Sequence, residues 1–313
     1  MTAVTTPTST ALSAFGCSGT LAVADAGALP AALHQLTELI DDIDRACSRF
    51  RDDSEIVALS RTAGESTHVS PLLAAVLRAA LNAAEETAGL VDPTIGAAMR
   101  SAGYDRDLAA IDARPDGISP IPAAGWRTVH LDDESRTIWV PPGTVLDVGA
   151  IGKAWAADSA SHLLASVFGC GVLASFGGDV AVAGEPPTGG WAIRITEDPD
   201  DLTGRTPGQT IVIDAGGVAT SSTQLRQWRR GHRVCHHILD PATGLPVPIV
   251  WRTVTVAATS CTTANAASTA AVILGDDATQ WLRQGHLPAR LVSVDGRTIT
   301  IGGWPSDVTA ASA

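Results

Sequence analysis

Leu146-Asp147-Val148-Gly149-Ala150-Ile151-Gly152-Lys153 sets an acid and a lysine six residues apart, with glycine-rich backbone between them and an apolar, helix-like run behind. Lys153 falls where a helix begins, so its ammonium adds to the positive end of the helix dipole. That arrangement suits a ligand carrying phosphates, while Asp147 can accept from a sugar or base donor. A strand-to-helix turn with a surface ion pair is the competing reading of the segment by itself. A Walker A loop is excluded, because Asp147 stands at the first glycine position and Ala154 follows the lysine in place of Ser or Thr.

Outward from this segment the apolar spacing alternates between helical and strand periods. Ile151, Trp155, Leu163, Leu164 and Val167 predict a helix over 151–168. Upstream, Leu33, Leu36, Ile40, Ile43, Cys47 and Phe50 predict another over 30–48. A third begins at Pro71 behind a Ser70 cap and ends near Gly89. Asp92 to Gly96 reads as a loop, and residues 128–131 and 137–140 as a hairpin. Strands are expected at 171–176, 179–183, 191–195, 209–214 and 232–239, with a polar segment at 197–208. A strand at 252–258, a small-residue helix at 262–274, a shorter helix near 276–284 and a hairpin over 289–302 complete the pattern. Helices and strands mix without strict βαβ alternation, so the fold class is α+β. Residues 1–10 are expected to be disordered, 11–304 to form a single domain with a hinge near 111–125, and 305–313 to be a frayed tail.

The chain has 313 residues, 45% of them hydrophobic and 17% charged, a globular balance. A net charge of −12 without a basic stripe argues against nucleic acid. No apolar run reaches the roughly 18 residues of a membrane span. The first ten residues carry no signal-peptide pattern. Five scattered cysteines without a CxxC pair argue against a zinc ribbon or a disulfide framework. A reduced, cytoplasmic protein is the expectation.

Four further clusters carry chemistry. Ser175-Phe176-Gly177-Gly178-Asp179 joins two strands through paired glycines that let backbone approach a ligand, or make a tight turn. Thr220-Ser221-Ser222 offers hydroxyls for phosphate oxygens, or is a serine-rich turn. His236 and His237 sit side by side on a strand, so one of them at most enters a given site. They lead into Asp240-Pro241-Ala242-Thr243-Gly244, a turn in which the acid can hold backbone N–H groups. Asn265 and Thr269 are i,i+4 neighbours on the small-residue helix, oxygen donors suited to a hard cation such as Mg²⁺ or simply part of a packed face. GxSxG, HExxH and GxGxxG are all absent.

In this order the segments resemble the ApbE family of FAD:protein FMN transferases. The likeness rests on Ser48-Arg49-Phe50-Arg51 with Ser54-Glu55, Asp92 to Gly96, Asp147 to Lys153, and Gly177-Gly178-Asp179. It continues through Ala219-Thr220-Ser221 and His237 to Gly244, and spans about Phe15 to Gly275. The resemblance implies a mixed α/β fold with FAD in a cleft between two lobes. It implies Mg²⁺-dependent transfer of FMN from FAD to a Thr or Ser hydroxyl of an acceptor protein, with release of AMP. Asp147 and Lys153 would lie on FAD, with Gly178, Asp179, Thr220, Ser221 and Ile238 around it. Phe15 and Phe50 would stand near the flavin, and Ala102-Gly103-Tyr104 would form another contacting segment. His237 would act in catalysis near the diphosphate together with Lys153. The Ala150 carbonyl, Asn265 and Thr269 would hold the metal. Two departures stand out: Asn265 replaces the family's aspartate, which weakens the expected metal binding, and Ser222 replaces a glycine, which narrows the expected phosphate pocket. Splitting of FAD to FMN and AMP by water, and FAD binding without turnover, are the alternatives.

Overall fold

Helix α3 (Pro71–Glu86) begins where its Ser70-Pro71 signal stands, whereas α2 (Glu55–Arg61), capped by Ser54, and α4 (Gly96–Ser101) were not expected. The structure, a computed structural model, describes residues 6–198 and 208–305. The chain opens with strands β1 (Thr8–Ala14) and β2 (Cys17–Val23), then helices α1 (Leu29–Cys47) and α2 (Glu55–Arg61). Strand β3 (Thr67–His68), helices α3 (Pro71–Glu86) and α4 (Gly96–Ser101), and the hairpin β4 (His130–Asp132) and β5 (Thr137–Trp139) follow. Next come α5 (Gly152–Phe168), β6 (Val172–Phe176), β7 (Asp179–Ala183), β8 (Trp191–Thr196), β9 (Gly208–Ile213) and β10 (Gly216–Ser222). Short strands β11 (Gln227–Arg230), β12 (Arg233–His236), β13 (Leu239–Asp240) and β14 (Leu245–Pro246) precede β15 (Trp251–Ala258). Helices α6 (Cys261–Leu274) and α7 (Ala278–Gln284) and the hairpin β16 (Ala289–Ser293) and β17 (Thr298–Ile301) close the fold.

Eight strands form one antiparallel sheet in the order β1-β2-β6-β7-β10-β15-β16-β17. Helices α5 and α6 pack on one face over Leu21, Phe176, Val254 and Leu291, in one core with Leu164 of α5. The β8–β9 hairpin covers the other face, where Trp191, Ile193 and Ile211 meet Val180, Val182 and Val218. A second core gathers α2, α3 and the β3-β5-β4 sheet around Ile56, Leu73, Leu77 and Ile138. Small residues let α6 approach the sheet closely. A Cβ on Gly217 of β10 would lie 2.3 Å from the Cys261 nitrogen.

Local chemistry explains the helix ends. Ser70 accepts from the Leu73 N–H at 3.1 Å, with Pro71 behind it. The N-terminus of α6 is held from a distance: Asp158 on α5 accepts from the Cys261 and Thr262 N–H groups, each at 2.8 Å. That carboxylate fixes the spacing between the two helices that flank the site.

Several expectations need correction. Thr8–Thr10 belong to β1, which pairs along its whole length with β2 through a Phe15-Gly16 turn. These residues are therefore strand, and residues 1–5 lie outside the described residues. The strand expected over 232–239 is two, β12 and β13, interrupted at His237-Ile238. The strand expected over 128–131 begins only at His130, because Trp126–Thr128 form a 3₁₀ turn. The polar segment at 197–208 is described only at its two ends, and the tail only at Pro305. The Pro305 carbonyl accepts from Gln209 at 2.8 Å. Within 111–125, Arg114 bridges Arg230, and Ala123 donates to the Pro241 carbonyl at 2.8 Å. No helix among the described residues is long and apolar enough to cross a membrane.

Candidate active site

Asp179 opens β7, directly after Gly177 and Gly178, which turn the chain at φ of +58° and +94°. Its carboxylate is fully buried and is held from two helices. Lys153, in the first turn of α5, forms a short ion pair with Oδ2. Asn265 of α6 donates from Nδ2 to Oδ1 at 2.8 Å. The other end of that amide, Asn265 Oδ1, is buried with no hydrogen-bond partner. The N-terminus of α5 has no side-chain cap, so its first N–H groups lack the oxygen that a capping side chain would bring.

One turn further along α6, Ser268 Oγ and Thr269 Oγ1 lie 2.8 and 3.0 Å from Ser221 Oγ. Asn265 thus reaches Asp179 of β7, and Thr269 reaches Ser221 of β10. Strand alternation sends Thr220 the other way, and its hydroxyl pairs with Thr255 at 2.9 Å. Ser221, and not Thr220, thus offers its hydroxyl beside α6. Ser222 also turns away and accepts from the Gln224 N–H at 3.1 Å.

A third group surrounds Tyr104. Its ring stacks on Trp228 at 5.2 Å and meets Phe50 and His237 edge-on at 5.8 and 6.5 Å. The Arg49 guanidinium lies 4.2 Å over both the Phe50 and Tyr104 rings. Its Nε is 3.2 Å from Asp147 Oδ2, whose carboxylate also accepts from the Gly149 N–H at 2.7 Å. Ala102 is fully buried and offers only its carbonyl, to Trp228 Nε1 at 2.7 Å. Gly103 takes φ +97°, and a Cβ there would lie 2.9 Å from Arg230.

The remaining sequence-derived residues are more scattered. Phe15 sits in the β1–β2 turn, edge-on to Phe176 at 5.3 Å. The Ile238 side chain is buried in the main core. Ala150 is exposed just ahead of α5, and no hydrogen bond or ring contact joins it to the three groups. An open cleft of about 830 Å³ beside α3 and the β4–β5 hairpin shares no residue with them. Arg49, Trp228 and Asp158 were not singled out for these roles by sequence. Arg49 lies within the quoted Ser48–Arg51 segment, whereas the partners of Trp228 and Asp158 lie over a hundred residues away in the chain.

The two histidines point to different surroundings: His236 ends β12, and His237 falls in the break between β12 and β13. His236 is buried, with Nε2 2.9 Å from the Val247 carbonyl and Nδ1 accepting from the Ile238 N–H at 3.3 Å. Burial lowers its pKa. His237 keeps an edge exposed, but its Nδ1 is buried without a partner. Burial, then the charges of Arg226, His236, Lys153 and Arg49, push its pKa well below the ordinary imidazole value. Both rings are therefore neutral near pH 7.

Because both folded pKa values fall below the unfolded one, the unfolded chain binds more protons at acid pH. The stability they contribute is present above about pH 6.5 and is lost as pH falls below it. Thermal melts between about pH 7.5 and about pH 5 are expected to show a falling Tm. A flat profile contradicts the neutral assignment.

The ApbE family model matches residues 15–291. An FAD:protein FMN transferase of Treponema pallidum is 30% identical over 262 residues, covering 78% of this chain and 72% of that protein. The crystal structure of an ApbE protein from Thermotoga maritima superposes with a TM-score of 0.78 at 25% identity, covering 94% of this chain and 97% of that one. The flavin transferase ApbE of Vibrio cholerae shares the fold at 21% identity and a TM-score of 0.74, over 95% and 96% of the two chains. The match spans most of the chain and includes the segments that build all three groups: the chain belongs to the ApbE family.

Proposed function

We propose that this protein is a Mg²⁺-dependent FAD:protein FMN transferase, moving FMN to a Thr or Ser hydroxyl of an acceptor protein and releasing AMP. The observation that carries this is the buried Asp179 clamped between Lys153 of α5 and Asn265 of α6, with Asn265 Oδ1 left unpartnered. An orphaned amide oxygen one helical turn from Thr269 fits a hard cation, which takes oxygen ligands and shares substrate phosphates. The Ala150 carbonyl, Asn265 and Thr269 are the residues that would hold Mg²⁺. When bound, it supplies positive charge to a pyrophosphate. The donor set is neutral, and no cluster of three or more His, Cys, Asp or Glu side chains suited to a metal occurs among the described residues.

The reaction joins the acceptor oxygen to the flavin-side phosphorus and breaks that phosphorus's bond to the bridging oxygen, which leaves with AMP. Lys153, oriented by Asp179, presents its ammonium to the charge that builds on the phosphate oxygens. His237 is neutral, and its unpartnered Nδ1 accepts the acceptor's hydroxyl proton as the new bond forms. The depressed pKa keeps the ring deprotonated at neutral pH but lowers its strength as a base. The neutral donor set also favours a second reading, FAD binding without turnover.

One incubation separates them: pure protein with FAD, Mg²⁺ and a Thr/Ser acceptor peptide, followed by mass spectrometry. Peptide carrying FMN, with equal AMP, is the expected result. Free FMN with unmodified peptide means that water is the acceptor, and intact FAD means a carrier.

A further inference from the structure

Arg49 is pinned on four sides. Aromatic rings lie 4.2 Å from its guanidinium carbon on two of them, Nη1 donates to the Tyr104 carbonyl, and Nε faces Asp147. One donor nitrogen, Nη2, is buried with no partner. Asp147 Oδ2 beside it is also buried and without an aligned hydrogen bond, in a side chain only 5% exposed. Buried polar atoms left unmatched in this way are expensive unless a ligand completes them. Here a donor and an acceptor stand next to each other, against a set of aromatic rings. Their charges offset one another, so the pair suits a neutral partner better than a phosphate.

We infer that Arg49 and Asp147 together read the edge of a planar heterocycle that presents an acceptor beside a donor, with Arg49 as the specificity-determining member. The inference rests on the proposal that this chain binds FAD. Two parts of that molecule carry such an edge: the imide of the isoalloxazine, with C=O beside N–H, and the adenine, with a ring nitrogen beside its amino group. Arg49 Nη2 donates to the carbonyl or ring nitrogen, and Asp147 Oδ2 accepts from the neighbouring N–H. The guanidinium is held before the ligand arrives, so little side-chain freedom is lost on binding.

The test is calorimetric titration of FAD, FMN and ADP into wild type, Arg49→Met and Arg49→Lys. Methionine keeps an unbranched apolar stem between the rings and removes the donors. Losing a charge-assisted hydrogen bond is expected to weaken FAD binding by about tenfold or more. The same loss should appear for one half-ligand only, with the other within about twofold of wild type. FMN as the affected half assigns the edge to the flavin, and ADP assigns it to the adenine. Lys retains the charge against Asp147, and must show the same one-sided loss even if Met unfolds the protein. Equal losses for both halves indicate a structural role and overturn the inference, as does no loss for either. If wild type binds no FAD, the transferase reading fails first and takes this inference with it. If wild type binds FAD and the Arg49 variants match it, the inference alone fails.

Discussion

Lys153→Met is expected to abolish FMN transfer and, separately, to destabilise the fold. Asp179 is 1% exposed, and Lys153 is the charge that faces it. Removing the ammonium leaves a buried carboxylate with one amide donor, Asn265. Breaking a buried ion pair from one side costs about 3–5 kcal/mol, and the 17% exposure of Lys153 places this case near the lower end. Lost charge stabilisation at the phosphate is worth about 10²–10³ in rate, by analogy with removal of a single oxyanion donor. A double variant separates the two effects. Lys153→Met with Asp179→Asn removes both charges, so denaturant unfolding should recover most of the lost stability while transfer stays absent. Recovery of transfer in the double variant would mean that Lys153 serves only to hold Asp179.

Asn265→Asp carries the second large effect, and its sign depends on the metal. In wild type the Asn265 amide donates to Asp179 Oδ1 at 2.8 Å. An aspartate there puts two carboxylates face to face in a buried site, and one must take a proton or move. Without Mg²⁺ the variant is expected to be less stable by about 2 kcal/mol, from the lost hydrogen bond and the added repulsion. With Mg²⁺ the order reverses, because an anionic ligand binds the ion more tightly and binding stabilises the folded state. Melting curves across a Mg²⁺ series should therefore show a larger upward shift for Asn265→Asp than for wild type. Turnover at limiting Mg²⁺ should rise as well. Equal Mg²⁺ shifts in the two proteins would remove Asn265 from the metal site.

What could be read before the structure follows from the range of each interaction. Signals within one turn of chain were legible: the Ser70-Pro71 start of α3, the apolar stripe of α1, and the small-residue face of α6. β1 was not, because its Thr, Ser and Ala residues carry little apolar signal and its stability comes from pairing with β2. Motifs named the candidate residues, but not their pairings. Lys153, Asp179 and Asn265 lie on three elements, and only the antiparallel sheet and the two helices beside it bring them together. Thr220 was expected beside Ser221 on the ligand, but period-two alternation separates the two hydroxyls.

The central claim is that a pyrophosphate lies between Lys153 at the start of α5 and the Asn265–Thr269 face of α6. A crystal structure with FAD and Mn²⁺ in place of Mg²⁺, phased to show manganese anomalous scattering, tests it most directly. The account predicts a manganese peak within coordination distance of Asn265 Oδ1, with a phosphate oxygen shared between it and the Lys153 ammonium. FAD bound with its phosphates away from both helices, or manganese bound without Asn265, would contradict it.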